Sequence, residues 1–310
     1  MNCRRTEQRT KRAEKQTADR MGSLRKPAGW FYETFSCPRE RNGAHRLKEP
    51  KTIYYRDELT DEFSAGGIKA RPIDGSYSYG GTVFRPLLRG IFYHVLAKSV
   101  GALWLKLHFG HRVVGREKLK ETAGAVFLYG NHTHPVMDAL MPTMLQPLKS
   151  TYVIVHPDNV SMPVLGALTP ALGAVPLPDD KKAYRNFSAY LDRLISGGHP
   201  VAIYPEAHIW PFYTGIRPFP ATSFHYPVKY GTPVYCFTNT YEKRHFRKTP
   251  RVVTYVDGPF YPDPALPRSD RISALREQCF QHMTERAKNS SAELIRYIKE
   301  EDQNTSAEGQ

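Results

Sequence analysis

The chain has 310 residues, a formal net charge of +14 and 40% apolar residues, enough for one large α/β domain with extensions or two small domains. The spread cationic excess points to an anionic partner: nucleic acid, a phospholipid surface or a phosphorylated substrate. Cys3, Cys37, Cys236 and Cys279 are scattered without paired spacing, which argues against a disulfide framework or a cysteine zinc knuckle and reads as reduced thiols of a cytosolic protein.

Residues 1–50 read as a basic leader with too little apolar content to bury a core and no secretory h-region, and both Met1 and Met21 are candidate starts. Residues 51–81 form an irregular arm. In it "KTIYYRDEL" reads as a short strand or an extended arm, and "IDGSYSYGG" is rich in turn formers. Residues 82–109 are the most apolar long stretch, yet Arg85, Arg89, His94, Lys98 and Lys106 argue against a membrane span. Two helices broken near Ser99–Gly101 fit better. Phe92, Tyr93 and Trp104 among cations suit a membrane interface, the alternative being a helical hairpin that covers a soluble core.

Strands and helices then alternate through residues 110–265. "GAVFLYGN", "STYVIVHP", "AVPLP", "HPVAIYPE", "TPVYCFTNTY" and "RVVTYVDG" read as strands. "PVMDALMPTML" reads as a helix opened by proline, "MPVLGALTPALG" as a short broken helix, and "KKAYRNFSAYLDRLISGG" as an amphipathic helix stopped by glycines. Residues 266–301 read as helices packed on the core, and 302–310 as a polar tail. This predicts an α/β fold: a mostly parallel central sheet with helices on both faces, preceded by a membrane-interface helical hairpin.

Functional groups of such sheets collect beyond the carboxyl ends of the strands, where "AVFLYG" delivers His132. A histidine there can take a proton from a hydroxyl, and Asp138 can fix its tautomer and support the imidazolium. No Ser or Cys stands in a nucleophile-elbow context, so the hydroxyl would come from the substrate. His134 is a rival base, since His134 and Asp138 share one helix face. Glu206 follows another apolar strand in "AIYPEAHIWPFYTGIRPF", with Arg217 downstream. Alternatively, the His132-x-His134 pair reads as part of a zinc site in a metal-dependent hydrolase, although His156, His199 and His208 are scattered singly. No recognition-helix or RNP-type pattern supports a nucleic-acid partner.

Taken together, "GNHTHPVMD", "LGAVPLPDD", "YPEAHIW" and "GTPVYCFTNTY" resemble, in order and spacing from about Leu87 to Gly258, the four blocks of the glycerolipid acyltransferase family that includes 1-acylglycerol-3-phosphate acyltransferase. A bacterial subgroup with "YGNHT…D" and "YPEAHIWP" segments is most similar. The resemblance implies transfer of a fatty acyl group from an acyl thioester, acyl-CoA or acyl carrier protein, to a lysophospholipid or glycerol-type hydroxyl in phospholipid synthesis, with 1-acylglycerol-3-phosphate as leading acceptor. It implies no cofactor and no metal. His132 would be the base, Asp138 its orienting carboxylate and Glu206 an acceptor-positioning group. Backbone amides near the start of the Pro135 helix are candidates for holding the oxyanion. The enzyme would sit on the cytoplasmic face of a membrane as a peripheral or monotopic protein, on anionic phospholipid.

The sequence departs from the family pattern at three points. Five residues separate His132 from Asp138, one more than the family spacing. The second block has Asp179 and Asp180 where an arginine is usual, and the third has Ala207, His208 and Ile209 in place of Gly, Thr and Arg. Arg217, Lys181, Lys182 or Arg185 are the candidates to hold a phosphate-bearing head group instead.

Overall fold

A computed structural model describes residues 50–63, 70–80, 93, 98–146, 149–163 and 165–300. The basic leader, the apolar stretch before Lys98 (apart from Tyr93) and the polar tail lie outside the described residues. The elements, in chain order, are β1 (Lys51–Tyr55), α1 (Lys98–Phe109), β2 (Arg112–Val114), β3 (Phe127–Gly130), α2 (Pro135–Leu145), β4 (Tyr152–Val155), α3 (Leu165–Leu168), β5 (Ala174–Pro176), α4 (Lys181–Ser196), β6 (Val201–Ile203), α5 (His225–Tyr230), β7 (Val234–Arg244), β8 (Arg247–Phe260), α6 (Arg268–Ala287) and β9 (Ile295–Lys299).

Seven strands form one sheet in the order β2-β8-β7-β3-β6-β4-β5. Every neighbouring pair is parallel except the β7–β8 hairpin. The α/β expectation, a mostly parallel sheet with helices on both faces, holds for the described residues. β3 lies in the middle of the sheet, and all four of its residues are buried, as an apolar strand covered on both sides requires. Its side chains alternate between two cores. Phe127 and Tyr129 join Phe187, Leu191, Leu275 and Cys279 under α4 and α6. Leu128 joins Leu105, Phe109, Met137 and Met141 under α1 and α2. Gly130 closes the strand where a Cβ would lie 2.2 Å from the Phe237 ring, so only glycine lets β7 pack there.

The helices follow their sequence signals. Pro135 stands at the first helical position of α2, and His134 is its N-cap. Asp180 caps α4 by accepting from the Ala183 amide at 2.7 Å. Ala183, Phe187, Leu191 and Leu194 form its buried stripe, at helical spacing.

Two expectations change, and one short strand is new. α1 runs unbroken through Ser99–Gly101; a Cβ on Gly101 would meet Leu140 at 3.0 Å, so this glycine marks close packing of α1 on α2. The C-terminal region is one helix, α6, followed by a strand: β9 pairs in parallel with β1, Tyr297 opposite Ile53. The alternation of "IRYIK" suits a strand, and its partner lies more than two hundred residues earlier, which makes the pairing invisible locally. β2 is a short strand on the sheet edge beside β8. Among the described residues no helix is long and apolar enough to cross a membrane.

Asp257 on β8 ties α6 to the sheet. Its carboxylate accepts from Arg286 Nε and Nη2, both at 2.7 Å, and from Lys118 Nζ at 3.1 Å. Burial alone would push the Asp257 carboxyl up, but the bonds from Arg286 and Lys118 outweigh it and hold the group below its ordinary value. With a folded pKa below the unfolded value of about 3.9, the stabilisation is complete above that value and is lost as pH falls through the folded one. Asp257→Asn should therefore cost about 2 kcal/mol at neutral pH and flatten the acid limb of the stability curve. Urea unfolding between pH 7 and pH 3 checks this; parallel curves for parent and variant would contradict it.

Candidate active site

β3 ends at Gly130 and the chain leaves its carboxyl edge as Asn131-His132-Thr133-His134 before α2 begins. His132 Nδ1 lies 2.8 Å from Asp138 Oδ2. An ionised carboxylate only accepts, so Nδ1 is the donor of this bond, and in the neutral ring Nε2 keeps its lone pair. The Asp138 side chain is 1% exposed and that of His132 18%, so the carboxyl is buried and the imidazole is partly reached by solvent. The same Oδ2 also accepts from the Thr133 and His134 amides, each at 2.8 Å. Asp138 stands in the first turn of α2, where the helix dipole favours a negative charge. Tyr204 stacks on the imidazole, with centroids 4.5 Å apart, and donates its hydroxyl to the Asp138 carbonyl at 2.5 Å.

The other carboxylate oxygen is reached from β7. Asn239 Nδ2 lies 3.5 Å from Asp138 Oδ1. Thr254 donates to Asn239 Oδ1 at 2.8 Å, and His111 Nε2 lies 3.0 Å from the Thr254 hydroxyl. Burial, with help from the Arg116 charge, lowers the His111 pKa to about 4, so this imidazole is neutral at pH 7. Asn131 locks the loop to the same strand: it donates to the Asn239 carbonyl at 3.0 Å and accepts from the Asn239 amide at 2.8 Å.

His134 occupies a different role from His132. Its Nδ1 accepts from the Val136 and Met137 amides at 3.3 and 3.2 Å, and its ring packs edge-on against Phe109 and Phe212. Burial lowers its pKa, with Asp138 opposing. The geometry leaves the rival base as a helix cap. It also changes the expectation for the oxyanion. The amides of His132, Thr133, His134, Val136 and Met137 all bond to side chains, and Pro135 has none.

Glu206 and Arg217 meet beside His132, both in the interior. Glu206 Oε2 accepts from the His132 amide and Oε1 from the Arg217 amide, each at 2.9 Å. Burial pushes the Glu206 carboxyl up, while the Arg217 guanidinium and these two amides draw it back. Arg217 is 1% exposed. Its Nη1 donates to the Glu58 carbonyl at 3.0 Å and its Nη2 to the carbonyls of Glu206 and His208, and the guanidinium stacks 4.9 Å from the Trp210 ring. Arg217, a candidate to hold a phosphate-bearing head group, is thus a buried arginine whose Nη1 and Nη2 donate to backbone carbonyls.

Lys181 and Lys182 are exposed at the start of α4. They lie on the same carboxyl side of the sheet as His132, but β5 is three strands from β3, about 14 Å away. Asp179 and Asp180, which stand where an arginine was expected, bind the Ile73 and Gly75 amides at 2.6 and 3.1 Å. No group of three metal-ligating side chains occurs among the described residues. His199 precedes β6, on the opposite edge of the sheet from His132, and His208 bonds Glu62 at 3.1 Å. Tyr204, Asn239, Thr254 and His111 complete the site and carry no motif of their own. Tyr204 and Asn239 could have been found only from their position near the carboxyl ends of predicted strands.

Residues 110–239 match the protein family described as Acyltransferase, a segment that contains both the His132 loop and the Glu206 loop. Among solved structures, the chain is similar to the crystal structure of the 1-acyl-sn-glycerophosphate (LPA) acyltransferase PlsC from Thermotoga maritima. The identity is 17% and the TM-score 0.44, over 68% of this chain and 97% of that one. No curated protein matches the chain.

Glu206→Gln would leave the Arg217 charge buried beside a neutral group and should cost about 3–5 kcal/mol of folding free energy. Adding Arg217→Met should recover a large part of that loss, because the charge goes with its partner. Urea midpoints of the single and double variants check this, and a double variant no more stable than the single one would contradict it.

Proposed function

We propose that the chain is an O-acyltransferase that works by direct transfer. Residues 110–239 carry the likeness to the Acyltransferase family, and the observation that carries the mechanism is the His132–Asp138 pair at 2.8 Å on the end of the central strand. His132 Nε2 takes the proton of an acceptor hydroxyl as the oxygen attacks the carbonyl carbon of an acyl thioester. The tetrahedral intermediate collapses, the carbon–sulfur bond breaks, and the imidazolium returns its proton to the departing sulfur. Asp138 supports the imidazolium and needs no proton of its own. The adjacent hydroxyl, Thr133, is fully buried and hydrogen-bonded to Tyr241 at 2.8 Å, which favours a substrate hydroxyl as nucleophile.

The acceptor in this reading is a lysophospholipid or glycerol-type alcohol, with 1-acylglycerol-3-phosphate first among them, and the donor is acyl-CoA or acyl carrier protein. Glu206 acts through His132, by holding its amide. Lys181 and Lys182 attract an anionic head group to the open edge of the sheet at longer range. The enzyme works on the cytoplasmic face of a membrane, in contact with anionic lipid.

Purified protein given radiolabelled acyl-CoA and a panel of lysolipids should yield the diacyl product. His132→Gln should lower turnover about a hundredfold or more with little change in unfolding midpoint. His134→Gln should act mainly on stability, by removing the cap of α2. Release of free fatty acid without acylated acceptor would point to a hydrolase, and full activity in His132→Gln would remove the base assigned here.

A further inference from the structure

The most exposed large apolar side chain in the described structure stands on a turn. Phe246 is 93% exposed in the two-residue turn, His245–Phe246, between Arg244 and Arg247 at the tip of the β7–β8 hairpin. Gly, Asn and Asp are the residues that such turns favour, so backbone geometry does not select a phenylalanine here.

The tip is fastened to the end of α1. Arg244 Nη1 donates to the His108 carbonyl and Arg247 Nη1 to the Leu107 carbonyl, both at 2.9 Å, and Thr249 reaches the His108 carbonyl at 3.2 Å. These bonds satisfy the open carbonyls of a helix C-terminus with cations that its dipole favours. On α1 itself, Gly101, Leu105 and Phe109 face the core. Val100, Leu103 and Leu107 share another face and are 60%, 58% and 61% exposed, at helical spacing. The turn that carries Phe246 lies at the Leu107 end of this stripe, where Arg247 bonds the Leu107 carbonyl.

Cations frame the stripe. Lys106 of α1 and Lys243, Arg247 and Lys248 at the hairpin tip are exposed beside it. Apolar side chains set in a cationic rim match a bilayer surface with anionic head groups, which rewards both burial and charge. Nucleic acid would use the charge and leave the stripe wet. The surface also lies one layer from the site: Trp104 and Phe109 of α1 touch the ring of His134, the cap of the helix that carries Asp138.

We propose that the exposed face of α1 and the Phe246 tip form one docking surface for an anionic lipid bilayer, with Phe246 entering the acyl boundary. This deepens the lipid-surface location proposed above, and its test reads vesicle binding without turnover, so it stands or falls apart from acyl transfer. The full chain is sedimented with phosphatidylcholine vesicles, with or without phosphatidylglycerol. The parent should partition onto the anionic vesicles only, and less at high salt. Phe246→Ser should weaken that partition about tenfold with an unchanged unfolding midpoint. The tryptophan introduced by Phe246→Trp should shift its emission to the blue when anionic vesicles are added. Equal partition of Phe246→Ser and parent, absence of parent binding, or no emission shift would each overturn the proposal. If Phe246→Ser left partition unchanged and abolished self-association or nucleic-acid binding instead, the surface would belong to a second copy or to nucleic acid.

Discussion

One oxygen of Asp138 organises the site. Oδ2 accepts the His132 ring proton and the Thr133 and His134 amides, all at 2.8 Å, so the loop after β3 is wound around a single buried acceptor. This accounts for the spacing of five residues between His132 and Asp138. The chain runs from the strand into Thr133 and His134, turns both amides inward, and begins α2 at Pro135 with Asp138 one turn along. The carboxylate is desolvated, and three N–H groups and a helix N-terminus replace its water. A base oriented in this way has one tautomer and one free lone pair.

Around that oxygen the fold supplies two supports. From β7, Asn239 reaches the second oxygen and, through its backbone, holds Asn131. From the loop after β6, Glu206 holds the His132 amide, and Arg217 fills the space behind it. That loop is in turn held by the two ends of the described chain. Trp210 stacks on Tyr297 of β9 at 4.8 Å and lies 4.7 Å from Tyr55 of β1, and its indole donates to the Asp61 carbonyl at 2.8 Å. The small β1–β9 sheet therefore belongs to the scaffold of the site even though neither strand enters it.

Local pattern carried much of the fold. The apolar runs at Phe127–Gly130, Val201–Ile203 and within Thr232–Tyr241 were legible as strands because both faces are buried, and Pro135 marked a helix start. β9 was not legible, because five residues of alternating pattern need a partner that only the folded chain brings. The site divides in the same way. His132, Asp138 and Glu206 could be placed because they follow apolar strands or a proline. Depth could not be read: Arg217 has the residue type of a phosphate ligand and the position of a core residue, and only its backbone acceptors separate the two. Asn239 and Thr254 act from inside strands, where a polar residue in an apolar run reads as strand filler.

The central claim is that Asp138 fixes the His132 ring with its proton on Nδ1 and its lone pair on Nε2. Nitrogen NMR of the histidine side chains, assigned by comparison with His132→Gln, tests it most directly. At a pH where the ring is neutral, His132 should show a protonated, pyrrole-type Nδ1 and an unprotonated, pyridine-type Nε2, and Asp138→Ala should erase that preference. A His132 ring protonated on Nε2, or one whose tautomer is unaffected by Asp138→Ala, would contradict the account.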